Sequence, residues 1–461
     1  MENNDSLKRN ALLVASLSSF LTPFMGSSVN VSLPTMGRDL SMDAIALSWV
    51  ATSYILSAAA FLVPFGRASD IYGRKKIFTW GIIIDNAASI FGALAPSGSI
   101  LIFCRVLQGV GGAMIFGTGI SMVTAVYPLQ ERGKALGIVL TTTYIGLAAG
   151  PFIGGFLTTH LGWRSIFLSN VVIGAVILTT TLWKIKQEWA EARGESLDLT
   201  GSVLYVFSLV LSMYGLSLLP RLIGLILVVP GVAGFVLFVF WVSKARYPVL
   251  DLHLFRHNRP FLFSNLAALI NYSATFAVSF LLSLYLQYIM KFSPEHAGLI
   301  LVVQPFVQAA LSTMAGKISD RVEPRVLASA GMASLFVGLL FFAFLHSTST
   351  LTYVVLDLAL LGFGFALFIA PNTNAIMSSV ERKSYGLASG IMATMRLVGQ
   401  SLSMGVVMFT FMLHMGKSMI TEENHPQFLQ SMKISFLIFA ALCLLGMFAS
   451  LVRGKIRREE A

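Results

Sequence analysis

Charge is scarce in this sequence. Only 11% of the 461 residues are charged, whereas 56% are hydrophobic and the mean hydropathy is +0.78. In soluble domains about a quarter of the residues are charged, so this composition excludes a soluble enzyme, a coiled coil and a disordered tail. Acidic residues are the rarer charges, with 21 Asp and Glu against 32 Lys and Arg.

Cysteine is nearly absent as well. Cys104 and Cys443 both lie inside apolar runs, so they form neither a disulfide framework nor a metal cluster. The net charge of +11 does not indicate nucleic acid, because the basic residues are spread between apolar runs instead of forming one patch. Gly416-Lys417-Ser418 resembles the end of a phosphate-binding loop, but residue 411 is Phe where that loop needs glycine. We therefore expect no enzyme activity, no cofactor, no metal and no nucleic-acid partner.

Long apolar runs, by contrast, are abundant. A bilayer crossing needs about 20 predominantly apolar residues, and the first run is too long for a signal peptide and lacks a convincing cleavage site. We predict an all-α polytopic membrane protein with fourteen transmembrane helices, near residues 11–33, 45–65, 77–96, 99–122, 135–159, 164–187, 198–219, 222–243, 260–289, 296–316, 326–346, 351–371, 385–414 and 432–452.

The basic residues predict the orientation of these spans. Of the 32 Lys and Arg, 24 fall on one side, six on the other, and Arg105 and Arg396 lie inside spans. Lys and Arg favour the cytoplasmic side. We expect a monomer in the lipid bilayer of the plasma (inner) membrane, with both termini in the cytoplasm.

One loop motif occurs twice. After the second span it consists of Gly66, Asp70, Gly73, Arg74 and Lys75, and after the tenth span of Gly316, Asp320 and Arg321. Parallel six-span repeats are a transporter architecture, with the substrate site between the halves. We predict two pseudo-symmetric six-helix bundles, residues 1–187 and 246–461, joined by an inserted transmembrane hairpin and linker at 188–245.

The first copy of the loop motif has a physical logic. Gly66 lets a helix end approach its neighbour, while Asp70, Arg74 and Lys75 form a charge cluster at the cytoplasmic face. Such a cluster can latch the two bundles and release them during transport. The alternative is a short solvated loop whose basic residues only set the topology.

The fourth span carries Arg105, Gln108 and Gly109 in its first half. An Arg inside a span costs about 2.5–3.5 kcal/mol on insertion scales, so it needs a polar interior or a partner. The functional interpretation is a gating or proton-relay charge. In the alternative, Arg105 reaches out of the membrane or caps backbone carbonyls.

The fifth span contains a regular series of small residues. Three glycines spaced four residues apart share one helix face and allow another helix to pack closely, and a proline bends the helix. Ordinary helix packing explains the same pattern equally well. The series is Gly137, Gly146, Gly150, Pro151, Gly154 and Gly155.

These three segments resemble the signatures of the major facilitator superfamily for the loop after span 2, for span 4 and for span 5. The span-5 pattern is associated with antiporters, and fourteen spans narrow the resemblance to the drug:proton antiporter family with an extra central hairpin. The resemblance implies alternating access and a small-molecule substrate exchanged for protons.

One departure from the family pattern concerns the proton. Proton-coupled relatives carry an acidic residue in span 1, shortly before a stretch like Asn-Val-Ser-Leu-Pro at 30–34, but here that position is Met25. The acidic residues within predicted spans are Asp85 and Asp357, and an intramembrane carboxylate is a functional candidate. We expect coupling at Asp85 first and at Asp357 second. A structural pair of Asp85 with Arg105, or an acid kept neutral, is the alternative.

Other polar residues in spans are candidates for coupling or substrate binding, although interhelical hydrogen bonds explain many such side chains. We interpret the protein as a secondary transporter that exports small amphipathic or lipophilic compounds, as in multidrug efflux, by proton antiport. The alternative is a dedicated metabolite carrier or facilitator without the usual proton coupling; a non-transporting scaffold is disfavoured by the motifs. The polar candidates are Asn30, Asn271, Tyr272, Gln304 and Arg396.

Overall fold

The computed structural model describes residues 2–250, 255, 258–319, 321–381 and 385–454. The regular structure of these residues is helical, and it contains fourteen long helices. They are α1 Glu2–Asp39, α2 Ala44–Tyr72, α3 Arg74–Ala93, α4 Gly98–Val126, α5 Leu129–Leu161, α6 Arg164–Lys184, α7 Leu199–Leu218, α8 Leu222–Val242, α9 Arg259–Ile289, α10 Pro294–Ser319, α11 Pro324–Ala343, α12 Leu351–Ser378, α13 Tyr385–His414 and α14 His425–Val452.

Thirteen of the described helices are long and apolar enough to cross a membrane. The helix that falls short is α3, because Arg74, Lys75 and Lys76 occupy its first turn and Asp85 and Asn86 its middle. It nevertheless takes the place of the predicted third span. The predicted fold class, an all-α polytopic membrane protein, is confirmed.

Helix ends differ from the predicted span ends. The 38 residues of α1 extend on both sides of the predicted span 11–33, because helical hydrogen bonding continues past the apolar run into charged residues. Two helices are interrupted: α9 contains a π-helical turn at Tyr285–Ile289, and α10 breaks at Val302. Hydropathy does not register such local changes in hydrogen bonding.

The chain divides into two compact units. Unit 1 comprises Met1–Gly215, Leu225–Asp251 and Ser293–Gly298, and unit 2 comprises Leu216–Gly224, Leu252–Phe292 and Leu299–Ala461. In unit 1, α1 packs along α5, α4 contacts α2 and α3, and α3 contacts α6. In unit 2, α11 packs against α12 and α14, α10 against α12, and α9 against α13 and α14. The bounds of the three predicted domains stay a prediction.

The inserted hairpin packs on α2 within unit 1. The hydroxyl of Tyr205 in α7 donates a hydrogen bond to the carbonyl of Ala59 at 3.0 Å. The rings of Trp49 and Tyr214 lie 5.8 Å apart, centroid to centroid. These contacts join α7 to the bundle through the side of α2.

The two halves repeat the same helix register. The eighth residue of α3 and of α11 is glycine, Gly81 and Gly331, and the fourteenth residue of α4 and of α12 is Gly111 and Gly364. A Cβ atom on Gly111 would lie 2.7 Å from the Gly81 carbonyl oxygen, and one on Gly331 would lie 2.7 Å from that of Gly364. Each half therefore crosses its third and fourth helices at a glycine pair, as expected for pseudo-symmetric bundles.

Candidate functional site

A buried polar network lies at the centre of unit 1. The side-chain amide of Asn170 in α6 donates to Asp85 Oδ2 at 2.7 Å and to Ser89 Oγ at 2.7 Å. The amide of Gln108 in α4 also donates to Ser89 Oγ, at 2.7 Å. Asp85 is thus held by a neutral amide from another helix, which fixes its carboxyl group without forming an ion pair.

Arg105 extends this network toward α2. Its Nε donates to the carbonyl of Val50 at 3.0 Å, and its Nη1 donates to Gln108 Oε1 at 2.9 Å. The guanidinium carbon lies 4.4 Å from the ring centroid of Tyr54, a cation–π distance. Arg105 is only 1% exposed, so it does not reach out of the membrane, and it caps one backbone carbonyl.

A small cavity joins these groups to α1. The cavity has a volume of about 10 Å³, which is enough for about one water molecule. Met25, at the position where the resemblance places an acidic residue, lines the same cavity as Asp85. The structure therefore brings the missing span-1 carboxyl position and the span-3 carboxyl into one site. The cavity is lined by Leu21, Thr22, Met25, Tyr54, Asp85, Arg105, Gln108, Gly112, Ile115 and Asn170.

The span-5 glycines separate into two faces. Three of them face α1: a Cβ on Gly146 would collide with the Phe20 carbonyl, one on Gly150 with Ser27, and one on Gly154 would lie 2.6 Å from Ser28 Cα. The Ser28 hydroxyl donates to the Gly150 carbonyl at 2.9 Å, a bond that the missing side chain makes possible.

The other members of the series do not face α1. A Cβ on Gly155 would lie 2.5 Å from the carbonyl oxygen of Pro294 at the start of α10, in a segment that belongs to unit 1. The carbonyl of Pro151 contacts Gly298 of the same segment. Gly137 has no atom within 4 Å of its would-be Cβ. The same motif thus combines tightly packed glycines with one in open space.

The loop motif after α2 forms a charge cluster. Arg74 donates to Asp70 Oδ1 from Nε at 3.0 Å and from Nη2 at 2.9 Å. Its Nη1 and Nη2 also donate to the two carboxylate oxygens of Glu191, each at 2.9 Å. Nη1 additionally reaches the carbonyl of Ser121 in α4, at 3.3 Å. All these partners of Arg74 belong to unit 1.

Glu191 is one of three glutamates in the linker between α6 and α7, which we call the acidic strap: Glu188, Glu191 and Glu195. The Glu188 carboxylate accepts from the backbone N–H groups of Lys75 and Lys76 at 2.8 and 3.1 Å and so caps the start of α3. Arg67 forms an ion pair with Glu195. The strap therefore contacts this segment at three places: two arginine side chains, Arg67 and Arg74, and the backbone at the start of α3.

Gly73 makes room for the strap. Its backbone has φ +114°, a conformation that other residues rarely adopt, and a Cβ there would lie 2.5 Å from the carboxyl carbon of Glu188. The sequence prediction missed the strap because its linker has no helical or strand periodicity. The sequence signal that could have revealed the strap is the spacing of its glutamates, three and four residues apart, in a chain that also carries a basic loop after span 2.

Replacing Arg74 by Gln is expected to lower the free energy of unfolding by about 2 kcal/mol, because Asp70 and Glu191 lose their shared cation. This is less than the ~3–5 kcal/mol for a fully buried pair, since Glu191 is 67% exposed. Thermal unfolding in detergent measures the loss. Lys75→Gln is the matched control, since only the backbone N–H of Lys75 contacts the strap. An equal loss in both variants would contradict the Arg74 assignment.

The second copy of the motif repeats one hydrogen bond of the first copy among the described residues. The Ser319 hydroxyl donates to the Gly316 carbonyl at 2.7 Å, as the Ser69 hydroxyl donates to Gly66 at 2.7 Å. Arg321 is exposed. Asp320, the predicted acidic member, lies outside the described residues.

The remaining candidates are distributed over several helices. In unit 2, Gln304 in α10 donates to Gln308 Oε1 at 3.0 Å, and Arg396 in α13 lies near enough to Tyr272 in α9 to interact electrostatically. Asn271 is fully buried, and its side-chain amide has no hydrogen-bond partner among the described residues. Asn30 in unit 1 is buried in α1.

Comparison with known proteins identifies the family. The model of the Major Facilitator Superfamily matches residues 15–404 and 265–460. The chain belongs to the major facilitator superfamily. It is 27% identical to the riboflavin transporter RibZ of Clostridioides difficile over 438 residues, which is 95% of each chain. It is 31% identical to the multidrug resistance protein Stp of Mycobacterium tuberculosis over 387 residues, 82% of this chain and 71% of that one.

A solved structure agrees in fold. The crystal structure of the nucleoside transporter NupG superposes with a TM-score of 0.64 at 15% identity, covering 97% of this chain and 100% of that one. The superfamily prediction is confirmed, and this member of the superfamily is a multi-pass membrane transporter for small molecules and not an enzyme. Relatives named for multidrug resistance and drug efflux confirm the resemblance to the efflux type.

Proposed function

We propose that the protein exports small amphipathic or lipophilic molecules across the plasma membrane in exchange for protons, with Asp85 as the proton-carrying carboxyl group. The single observation that carries this proposal is that Asp85 and Met25 line one cavity. Compared with the family pattern, the carboxyl group of this site comes from α3 and not from α1. The orientation follows the basic residues, with both termini in the cytoplasm, and the protein acts as a monomer.

The groups around Asp85 are compatible with reversible protonation of its carboxyl group. Asn170 donates to Asp85 Oδ2, and an amide donor can support either the acid or the carboxylate. Arg105 in the same cavity favours the carboxylate without forming a direct ion pair with it. A water in the cavity would connect the carboxyl to a proton route. Each proton that enters down the membrane potential supplies about 2.3 kcal/mol per 100 mV.

Alternating access requires stiff pieces that move against each other. The glycine contacts between α1 and α5, together with the acidic strap around Arg74, stiffen unit 1 at different places. We propose that unit 1 moves as one piece during transport. The loop motif then acts chiefly by bracing α2, α3 and the linker after α6, and Asp70 and Arg74 contribute to turnover through that rigidity.

A dedicated metabolite carrier is the second candidate function. Met25 in place of the usual acid favours it, and so does the similarity to a riboflavin transporter over 95% of both chains. Such a carrier would use the same fold and the same polar cavity, but without net proton movement.

Substrate-triggered proton movement in proteoliposomes tests the proposal. Liposomes that contain the protein and a pH-sensitive dye are exposed to tetraphenylphosphonium, ethidium or riboflavin, with protein-free liposomes as the control. We expect a lipophilic cation to release protons and a protonophore to abolish its accumulation. Riboflavin flux that persists in the presence of the protonophore, with no response to the two cations, would establish the carrier instead.

A further inference from the structure

We propose that Asp357 in α12 is a second proton-binding carboxyl group, so that each unit carries one proton during the transport cycle. This inference rests on the proton-coupled function proposed above. Asp357 is 4% exposed, and neither of its carboxyl oxygens has a hydrogen-bond partner among the described residues. A carboxyl group in such a place has to be explained, because polar groups in helices at membrane depth normally find a partner.

The described neighbours of Asp357 offer its carboxyl group no hydrogen bond. It faces α11, where a Cβ on Gly338 would lie 3.0 Å from Asp357 Oδ1, and Leu361 of its own helix approaches the same glycine. Tyr353 lies one turn earlier, but its hydroxyl donates to the carbonyl of Phe341 at 2.6 Å. Gly338 therefore provides space for the carboxyl group and offers it no hydrogen bond.

Among the described residues, no cation compensates a negative charge at this position. Arg259 in α9, Lys317 in α10, Arg325 in α11 and Arg396 in α13 form no ion pair with Asp357, although all four helices contact α12. Lys317 and Arg325 lie at the far ends of their helices: Arg325 is 13 residues from Gly338, which is about 20 Å along a helix. A bare carboxylate here would cost several kcal/mol, whereas the neutral acid avoids that cost.

The helix register gives this proton a place in the transport mechanism. Asp357 is the seventh residue of α12, and Cys104, the seventh residue of α4, precedes Arg105. The glycine pairs that cross α3 with α4 and α11 with α12 establish that register. Asp357 thus occupies in unit 2 the level at which unit 1 holds its buried polar network. A proton at each level gives both units a group whose charge changes during the cycle.

Infrared spectroscopy of the lipid-reconstituted protein tests this assignment without a transported substrate. A protonated carboxyl group has a C=O stretching band that a carboxylate lacks. We expect the band in wild type at neutral pH and its partial loss in Asp357→Asn, with Asp85 contributing equally to both spectra. If Asp357→Asn folds poorly, Asp357→Cys serves instead, since it places in α12 the residue that α4 carries at the same position.

Exchange into D₂O separates a working proton site from a sealed structural acid. We expect the Asp357 band to shift within minutes, because a site used in the cycle must exchange its proton with water. A band that is unchanged in both variants, or one that never shifts in D₂O, would overturn the proposal. These readouts concern Asp357 alone, so their failure is distinguishable from a failure of proton coupling, which the dye assay reports.

Discussion

Replacing Asp85 by Asn is expected to reduce substrate-triggered proton movement strongly and to weaken the pH dependence of transport, leaving only the share that Asp357 carries. Asn has nearly the same shape and still accepts the hydrogen bond that Asn170 now donates to Asp85 Oδ2 at 2.7 Å. It has no carboxyl proton to gain or lose. The variant should therefore fold normally and lose the proton that Asp85 carries in each transport cycle.

A rescue experiment makes this prediction specific to the cavity. Because Met25 and Asp85 line the same space, Met25→Asp in the Asp85→Asn background should restore proton movement, at least in part. A carboxyl placed elsewhere should not. Asp43→Asn is the matched control: Asp43 caps α2 by accepting from the Ala46 N–H at 2.7 Å, and Asn caps a helix equally well. Unchanged pH dependence in Asp85→Asn would remove Asp85 from the coupling scheme.

The fold was largely predictable because its determinants are local. A helix at membrane depth satisfies its own backbone, so apolar runs of sufficient length mark most of the helices directly. The third helix was predictable although it is less apolar, because residues 77–96 still form a mostly apolar run. Helix interruptions such as the π-helical turn at Tyr285–Ile289 were not predictable, since they depend on backbone hydrogen bonds.

The candidate residues could be proposed one by one from the sequence, but their arrangement could not. A carboxyl inside a span identified Asp85, and a cation inside a span identified Arg105. Their relation to Met25 depends on the rotation of α1, α3 and α4 about their axes, which spacing along one helix does not determine. The same holds for Asp357, whose lack of a partner is a property of the α11 surface. The acidic strap was missed because an irregular linker leaves no periodic signal.

The span-5 glycines show how far spacing reaches. Their four-residue interval predicted a shared face, and Gly146, Gly150 and Gly154 do share the one that faces α1. Spacing could not show that Gly155 packs on the start of α10, nor that Gly137 packs on nothing within 4 Å. One motif therefore contains residues for which the same substitution should have opposite effects.

Gly146→Ala is expected to reduce transport strongly and to lower the free energy of unfolding. The added methyl group would collide with the carbonyl of Phe20, and backbone cannot turn aside as a flexible side chain can. Relief requires α1 and α5 to separate along an interface that also contains the Ser28–Gly150 hydrogen bond. Overpacking of this kind costs about 1–3 kcal/mol, and α1 carries Met25, so a displaced α1 also distorts the cavity that Met25 and Asp85 line.

Gly137→Ala is the control from the same helix and the same motif. It adds the same methyl group where nothing lies within 4 Å, and Ala is favoured over Gly in a helix by about 0.8–1 kcal/mol. The midpoint temperature of thermal unfolding should therefore fall for Gly146→Ala and stay unchanged or rise for Gly137→Ala. Initial transport rates should fall only for Gly146→Ala. If Gly137→Ala abolished transport with its stability intact, the motif would act through helix flexibility and not through the packing of α5 on α1.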